Sequence, residues 1–452
     1  MHIALRQIAD VLSATPLGLT DEQFDTTCTG ISTDSRNVAP SNLFIALEGE
    51  SFDGHDFVWT AIDLGAIAVV VHRPNPDPTL PQLVVSNTLT AYQTLGRWWR
   101  DTHDIPIIAI TGSVGKTTTK ELIAAVLETN GSVLKTQGNY NNEIGVPKTL
   151  LQLNTRHDYA VVEMAMRGRG QIAELTQISR PDISVITNVG TAHIGLLGSR
   201  EAIAEAKCEL LAEMSSTGIA ILNHDNPLLL ETASRVWSGK TITFGLEGGD
   251  LCGKLLDGEV LELDGARYPL PLPGRHNALN YLAALAVGRV LNVNLEPLTR
   301  GVSIDLPGGR AKQYELPNDI LLLDETYNAG LESMLAALEM VAQMPAQRRI
   351  AVLGTMRELG HKSLEFHHQV GERVKALNLD ALFVLAELPE AQAMAAGARG
   401  LTFVDLENLD AKNAHETLSR RLREFMEPGD RILLKASRSV ALDRVVASLL
   451  DR

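Results

Sequence analysis

Cysteine is scarce: Cys28, Cys208 and Cys252 are the whole complement in 452 residues. Three widely spaced thiols exclude a disulfide framework and a cysteine zinc site, and they suit a reducing cytoplasm. Long apolar runs are missing as well. AIAVVV at 66–71 is among the longest, far short of the roughly 20 residues that cross a bilayer. The N-terminal MHIALRQIADVLSA spaces its apolar residues as a helix does but is broken by Arg6 and Asp10. It lacks the continuous apolar core of a signal peptide. An excess of positive charge is absent too. A net charge of −15 excludes broad contact with nucleic-acid phosphates. A small anion can still be held locally by backbone N–H groups, a few cations or Mg²⁺. There is no repeat and no low-complexity segment. The expectation is a soluble, cytoplasmic monomer with no nucleic-acid partner and no stable membrane insertion.

What is present is ample apolar material, 45% of the chain, and a length that suggests about three domains. Two polar or proline-glycine breaks divide it: Asp101-Thr102-His103-Asp104-Ile105-Pro106 and Ile304-Asp305-Leu306-Pro307-Gly308-Gly309. The expected domains are 1–104, 105–308 and 309–452. In the first, 43–47, 66–71 and 82–86 read as strands, and 56–64 and 88–100 as helices. The second opens with strand PIIAITG and a helix from Lys116, then strands KTQ (135–137), YAVVEM and DISVITNV. The third alternates strands at 320–325, 349–355, 381–387 and 431–437 with helical stretches. Such alternation predicts an α/β fold. It comprises a small α/β domain, a central parallel-sheet domain with a phosphate loop, and a C-terminal nucleotide-binding-like open sheet.

The most informative stretch is ITGSVGKTTTKE, 110–121. The general phosphate-loop pattern G-x-x-x-x-G-K-[ST] asks for a glycine at 110, and Ile110 stands there. The loop is shorter, starting at Gly112, yet the strand–loop–helix context is right. Gly112, Ser113, Val114 and Gly115 let the backbone wrap an anion. Lys116 supplies a point charge, Thr117 a hydroxyl for Mg²⁺, and Thr118 a further helix-start amide.

The T-G-[ST]-x-G-K-T-T form resembles the Mur ligase family, which shares it with folylpolyglutamate synthetases; both form amide bonds with ATP. The similarity extends over nearly the whole chain. Residues 32–66 are similar to a UDP-sugar-binding domain found in two members of the family, placing Ser35, Arg36 and the Asp53-Gly54-His55 turn near the UDP end. GNYNNEIGVPKTLL (138–151), with Asn141 and Asn142 on the UDP-substrate side, DETYNAGLESM (324–334) and KASRS (435–439) resemble the member that adds D-alanyl-D-alanine. The member that adds the third peptide residue carries an aspartate-asparagine-proline-arginine motif instead, which is missing here.

The resemblance implies ATP-dependent ligation of D-alanyl-D-alanine to UDP-N-acetylmuramoyl-tripeptide. It proceeds through an acyl phosphate and gives the pentapeptide precursor of peptidoglycan. It also implies two Mg²⁺ ions. Thr117 and Glu163, which ends strand YAVVE, are the expected ligands of one. His193 and a carbamylated Lys207, from TNVGTAHIGLLGSREAIAEAKCELL, are implied for the other. Asn280 in RHNALNYLAALAVG is expected on adenine. Arg310, Glu325 and Tyr327 are expected on the ATP side of the third domain, and Ser437 and Arg438 on the dipeptide side. Lys116, Lys207 and His193 are the expected catalytic set. Departures from the family pattern are Glu325 for aspartate, Gly330-Leu331 for an Asn-Pro-like pair, Thr355 for aspartate and Ala436 for glycine. The alternatives are the third-residue ligase, a P-loop NTPase without ligase activity, and a nucleotide-binding regulator without catalysis.

Overall fold

Strands that are apolar on both faces need cover on both faces, and three such sheets form along this chain. The computed structural model describes residues 1–306 and 308–451. Pro307 of the second expected break and Arg452 at the end of the third expected domain lie outside them.

The N-terminal sheet runs in the order Thr15–Leu17, Gln82–Val84, Ala68–Val71, Asn42–Ile45, Gly30–Ser32. Only the first strand is antiparallel to its neighbour. Helix Thr88–Asp101 follows, its first turn capped by Asn87, which accepts from the Thr90 N–H at 2.8 Å. This helix also fastens the N-terminal unit to the central one. Trp99 Nε1 donates to the Leu153 carbonyl at 2.9 Å, and Arg100 pairs with Asp182 at 3.0 Å. The polar break after it is anchored as well, because Asp101 pairs with Arg180 at 2.8 Å.

The central sheet has seven strands, Leu251–Cys252, Lys240–Gly245, Ile219–Asn223, Ile183–Ile186, Ile107–Thr111, Tyr159–Glu163 and Val133–Lys135. All its pairs are parallel. Strand Ile107–Thr111 is buried throughout. Its alternate residues serve opposite faces, Ile107 and Ala109 in one apolar cluster, Ile108 and Ile110 in the other. The second of these strands along the chain is Val133–Lys135, two residues earlier than the expected 135–137. It is an edge strand, paired on one side only, and its half-exposed residues leave a weak apolar pattern.

The C-terminal sheet runs Lys312–Leu316, Ile320–Glu325, Asp430–Lys435, Arg348–Gly354, Ala381–Ala386, Val404–Asn408. The first pair is antiparallel and the rest parallel. Lys312–Leu316, Val404–Asn408 and an antiparallel meander, Lys254–Leu256, Val260–Leu263 and Ala266–Pro269, were not foreseen. All are short or marginal, with mixed polar composition. One apolar cluster includes Ile107 and Ile194 of the central unit together with Leu323, Leu353 and Leu359 of the C-terminal unit, so the two share packed surface. Among the described residues no helix is long and apolar enough to cross a membrane.

Candidate active site

Loops at the carboxyl edge of a parallel sheet are where ligands bind. At that edge strand Ile107–Thr111 turns into helix Lys116–Leu127 through residues 112–115. Gly115 has φ 83°, and a Cβ there would lie 2.6 Å from Asn280 Oδ1; one on Gly112 would lie 1.9 Å from Thr187 Oγ1. Only glycine fits at either position. The first helical bond is from the Thr119 N–H to the Gly115 carbonyl at 2.8 Å. The N–H groups of residues 115–118 therefore have no helical partner, and these four residues line a cleft of 1590 Å³. That is the geometry of an anion cradle at a helix start.

Lys116 Nζ donates to the Gly112 carbonyl at 2.8 Å. Burial holds its ammonium below the usual lysine range, the Glu163 carboxylate opposes the shift, and the Arg310 guanidinium adds to it. Arg310, from the C-terminal unit, thus faces the same cleft as the phosphate loop. Its guanidinium lies 3.9 Å over the Tyr327 ring, and its Nε is buried without a partner among the described residues. Glu163 ends its strand as expected. Its Oε1 accepts from Asn141 Nδ2 at 2.8 Å, while Oε2 is buried with no partner among the described residues. An orphaned carboxylate oxygen in the cleft that Thr117 also lines suits a hard cation with oxygen ligands.

Of the other expected residues, Ser113, Val114, Thr118, Asn142, His193, Asn280, Glu325, Tyr327, Ser437 and Arg438 also line the cleft. Asn142 Oδ1 accepts from the Gly145 N–H at 2.9 Å, capping the next helix. Asn280 is buried against the phosphate loop, its Oδ1 accepting from Thr119 Oγ1 at 3.2 Å. Its helix starts at Arg275, and Asn277 donates to the Pro273 carbonyl rather than capping the helix. His193 takes a left-handed backbone, φ 66°, and its Nδ1 is hydrogen-bonded to Glu358 of the C-terminal unit. Lys207 lies outside the cleft lining, 2% exposed. Burial, then the nearby Lys116 charge, push its ammonium pKa well below the ordinary lysine value. Among the described residues no three His, Cys, Asp or Glu side chains converge to hold a metal ion.

Ser35 and Arg36 do not line the cleft. Arg36 is exposed and grips Asp34 through Nε at 2.9 Å and Nη2 at 2.8 Å. In the neighbouring turn, Asp53 accepts from the His55 N–H at 3.0 Å and pairs with Arg73. Glu50 is the N-terminal unit's cleft-lining residue.

The departures from the family pattern are absorbed locally. Glu325 accepts from the Ala311 N–H at 3.0 Å and from Lys435 Nζ at 3.3 Å. Ala436 packs on Gly354, where a Cβ would lie 2.7 Å from that of Ala436. Thr355 Oγ1 donates to Glu387. Ser437 Oγ accepts from the Arg357 N–H at 2.9 Å, and Arg438 pairs with Asp443 at 3.2 Å.

The stretch from Thr187 was quoted for His193 and Lys207, but its role in holding the phosphate loop was missed. Thr187 Oγ1 and Asn188 Nδ2 both donate to the Val114 carbonyl, at 2.7 and 3.0 Å, and Asn188 Oδ1 accepts from the Val114 N–H at 3.0 Å. The available signal was the run of polar residues directly after strand Ile183–Ile186, at the same sheet edge.

Three family models match the chain in succession: the Mur ligase family catalytic domain over 27–93, the Mur ligase middle domain over 110–288, and the Mur ligase glutamate ligase domain over 309–438. The chain belongs to the Mur ligase family. Among the family's members, a UDP-N-acetylmuramoyl-tripeptide–D-alanyl-D-alanine ligase from Synechocystis sp. is 55% identical over 450 residues, 99% of this chain and 98% of its own. The crystal structure of MurF from Acinetobacter baumannii superposes with a TM-score of 0.90 at 31% identity, covering 100% of this chain and 99% of the other. MurF ligase from Thermotoga maritima, solved in complex with ADP, gives a TM-score of 0.82 at 31% identity over 95% and 98% of the two chains. The three-unit α/β architecture is thus that of these Mur ligases.

Proposed function

We propose that this chain ligates D-alanyl-D-alanine to UDP-N-acetylmuramoyl-tripeptide at the expense of ATP, giving ADP and phosphate. One observation carries the reading. A single cleft brings together the Lys116 loop, the unpaired Glu163 oxygen and Arg310 from another unit, in a chain whose full length matches ligases of that name.

The chemistry follows from charge. A tripeptide carboxylate oxygen attacks the γ-phosphorus, and the bond from that phosphorus to the ADP oxygen breaks. The dipeptide amine then attacks the acyl carbon, loses a proton, and the C–O bond to phosphate breaks. The first step brings anion to anion, so cations must screen it and hold the partners in line. Lys116 and Arg310 approach from opposite units to do so. The free amides of residues 115–118 bind the phosphates, and Asn280, which lines the same cleft, would contact adenine. Mg²⁺, held by Thr117 and Glu163, would supply Lewis-acid charge at the transferring phosphate. His193 and a carbamylated Lys207 would hold a second ion. A depressed lysine pKa supports that modification, because only the neutral amine adds CO₂. Tyr327 and Glu325 order the Arg310 side of the cleft, and Ser437 and Arg438 stand on the dipeptide side. Residues 1–104, including Ser35 and Arg36, would carry the UDP end, with Asn141 and Asn142 between it and Glu163. Residues 105–308 would carry ATP and 309–452 the dipeptide.

The test is a product-identified assay. Purified protein is offered D-alanyl-D-alanine with each UDP-tripeptide, and meso-diaminopimelate or L-lysine with the UDP-dipeptide. Mass spectrometry should find the pentapeptide product alone. A tripeptide product would move the chain to the third-residue ligases. ATP turnover indifferent to any acceptor would make it an NTPase.

A further inference from the structure

Helix Leu331–Gln343 of the C-terminal unit begins beside the cleft. Its second residue, Glu332, reaches into the central unit. One carboxylate oxygen accepts from the Thr191 N–H at 2.7 Å and the other from Thr191 Oγ1 at 3.0 Å. Gly190 is packed so closely that a Cβ there would lie 2.7 Å from Glu332 Oε1. Thr191 is buried, and Glu332 is half-buried. A carboxylate accepting two hydrogen bonds makes a stronger contact than a neutral pair.

The segment so gripped is the one beneath the phosphate loop. The Gly190 N–H donates to Ser113 Oγ at 2.9 Å, and the Ser113 N–H donates to the Asn188 carbonyl at 3.1 Å. Two residues beyond Thr191 stands His193, bonded to Glu358, and the Gly195 N–H donates to the Glu358 carbonyl at 2.9 Å. Residues 187–195 therefore touch the phosphate loop on one side and the C-terminal unit on the other.

We infer that Glu332 is a positioning residue: its clasp on Thr191 couples docking of the C-terminal unit to the shape of the phosphate loop, so that the ligation step runs only when Arg310 has been brought in. Both Glu332 oxygens are taken up by Thr191. The residue acts through Thr191 and Gly190 on Ser113. A purely local role is available to the same side chain, because an acid in the first turn stabilises a helix. Glutamine separates the two roles. Its amide oxygen can accept from the Thr191 N–H and its NH₂ can donate to the hydroxyl, so the clasp survives while the helix loses its charge.

The test uses the full chain and compares Glu332→Ala, Glu332→Gln and Thr191→Val. Small-angle scattering with a non-hydrolysable ATP analogue should give a larger radius of gyration for Glu332→Ala than for wild type and Glu332→Gln. At saturating substrates, Glu332→Ala should lose about tenfold or more in kcat while half-saturating ATP moves by less than about threefold. Glu332→Gln should retain most activity. Thr191→Val, which keeps the N–H, should fall between them, and Glu332→Ala should add little to it in the double variant. Wild-type scattering for Glu332→Ala would overturn the inference, whatever its kcat. So would expanded scattering with undiminished kcat, or a glutamine variant as impaired as alanine. The inference rests on the ligase reading for its rate arm alone. Should the chain prove to be another ATP-using member, scattering still decides the clasp.

Discussion

Two buried carboxylates, each on a strand with parallel neighbours, are treated in opposite ways. Asp430 opens its strand at the amino edge of the C-terminal sheet, in register with Arg348 on the next strand. It is 0% exposed, and both oxygens are used: Arg348 donates through Nε at 2.9 Å and Nη2 at 2.8 Å, and the Glu427 N–H donates at 2.8 Å. Glu163 closes its strand at the carboxyl edge of the central sheet, 2% exposed, with one oxygen left unpaired among the described residues. Lys116, in the same cleft, is bonded among the described residues to loop carbonyls alone, and Lys207 is a buried amine pressed by a like charge. A folded chain normally pairs its buried polar groups. Groups kept unpaired at a sheet's ligand edge are held ready for something that arrives later.

Substitutions should break this contrast cleanly. Lys116→Ala removes the preorganised charge on the transferring phosphate, and kcat should fall by about 10²-fold or more. Its urea midpoint should fall only slightly, since the bonds lost, to the Gly112 and Ser113 carbonyls, are confined to the loop. Near-normal turnover would remove Lys116 from the chemistry. Lys207→Ala should also collapse the rate. If the lysine serves as a carbamate, formate or acetate should restore part of it, and should do nothing for Lys116→Ala. One variant lacks an anion and the other a cation. Full activity of Lys207→Ala without additive would refute the carbamate.

Arg348→Ala should show the reverse profile. It leaves a buried carboxylate without its cation, and the C-terminal unit should lose about 3 kcal/mol in urea unfolding. The folded protein's kcat at low temperature should be unchanged, and a rate defect without a stability defect would contradict a structural role. The smallest effect concerns thiols. Burial pushes Cys208, next to Lys207, up to about 12 and raises Cys28 too, while Cys252 is exposed. At pH 8 one thiol should react quickly with a disulfide reagent, and two more only on unfolding. Rapid reaction of all three would mean that solvent reaches the Lys207 helix.

Much of the scaffold was legible locally. Strands such as Ile320–Glu325 and Ile107–Thr111 open on unbroken apolar runs, 320–323 and 107–110, because both faces are covered. The glycines and lysine of 112–116 carry their purpose in their chemistry. The edge strands Val133–Lys135 and Val404–Asn408 were harder to read because one-sided pairing leaves half-exposed residues. The site was legible where one strand end or one helix start supplies it, as with Glu163 and Thr117. It was not where the contact spans units. Glu332 and Thr191 stand 141 residues apart, and His193 and Glu358 stand 165 apart.

The sequence by itself determined the alternation of strands and helices, the glycine loop that only small residues can form, and the kinds of side chain brought to the cleft. These rest on period, backbone freedom and chemical type, which are properties of neighbours along the chain. The tertiary structure alone decided that Lys207 is buried beside Lys116, that Arg36 is spent on Asp34, and that Glu332 grips Thr191. Burial and charge proximity arise from the packing of distant segments, and no local pattern of residues encodes that distance.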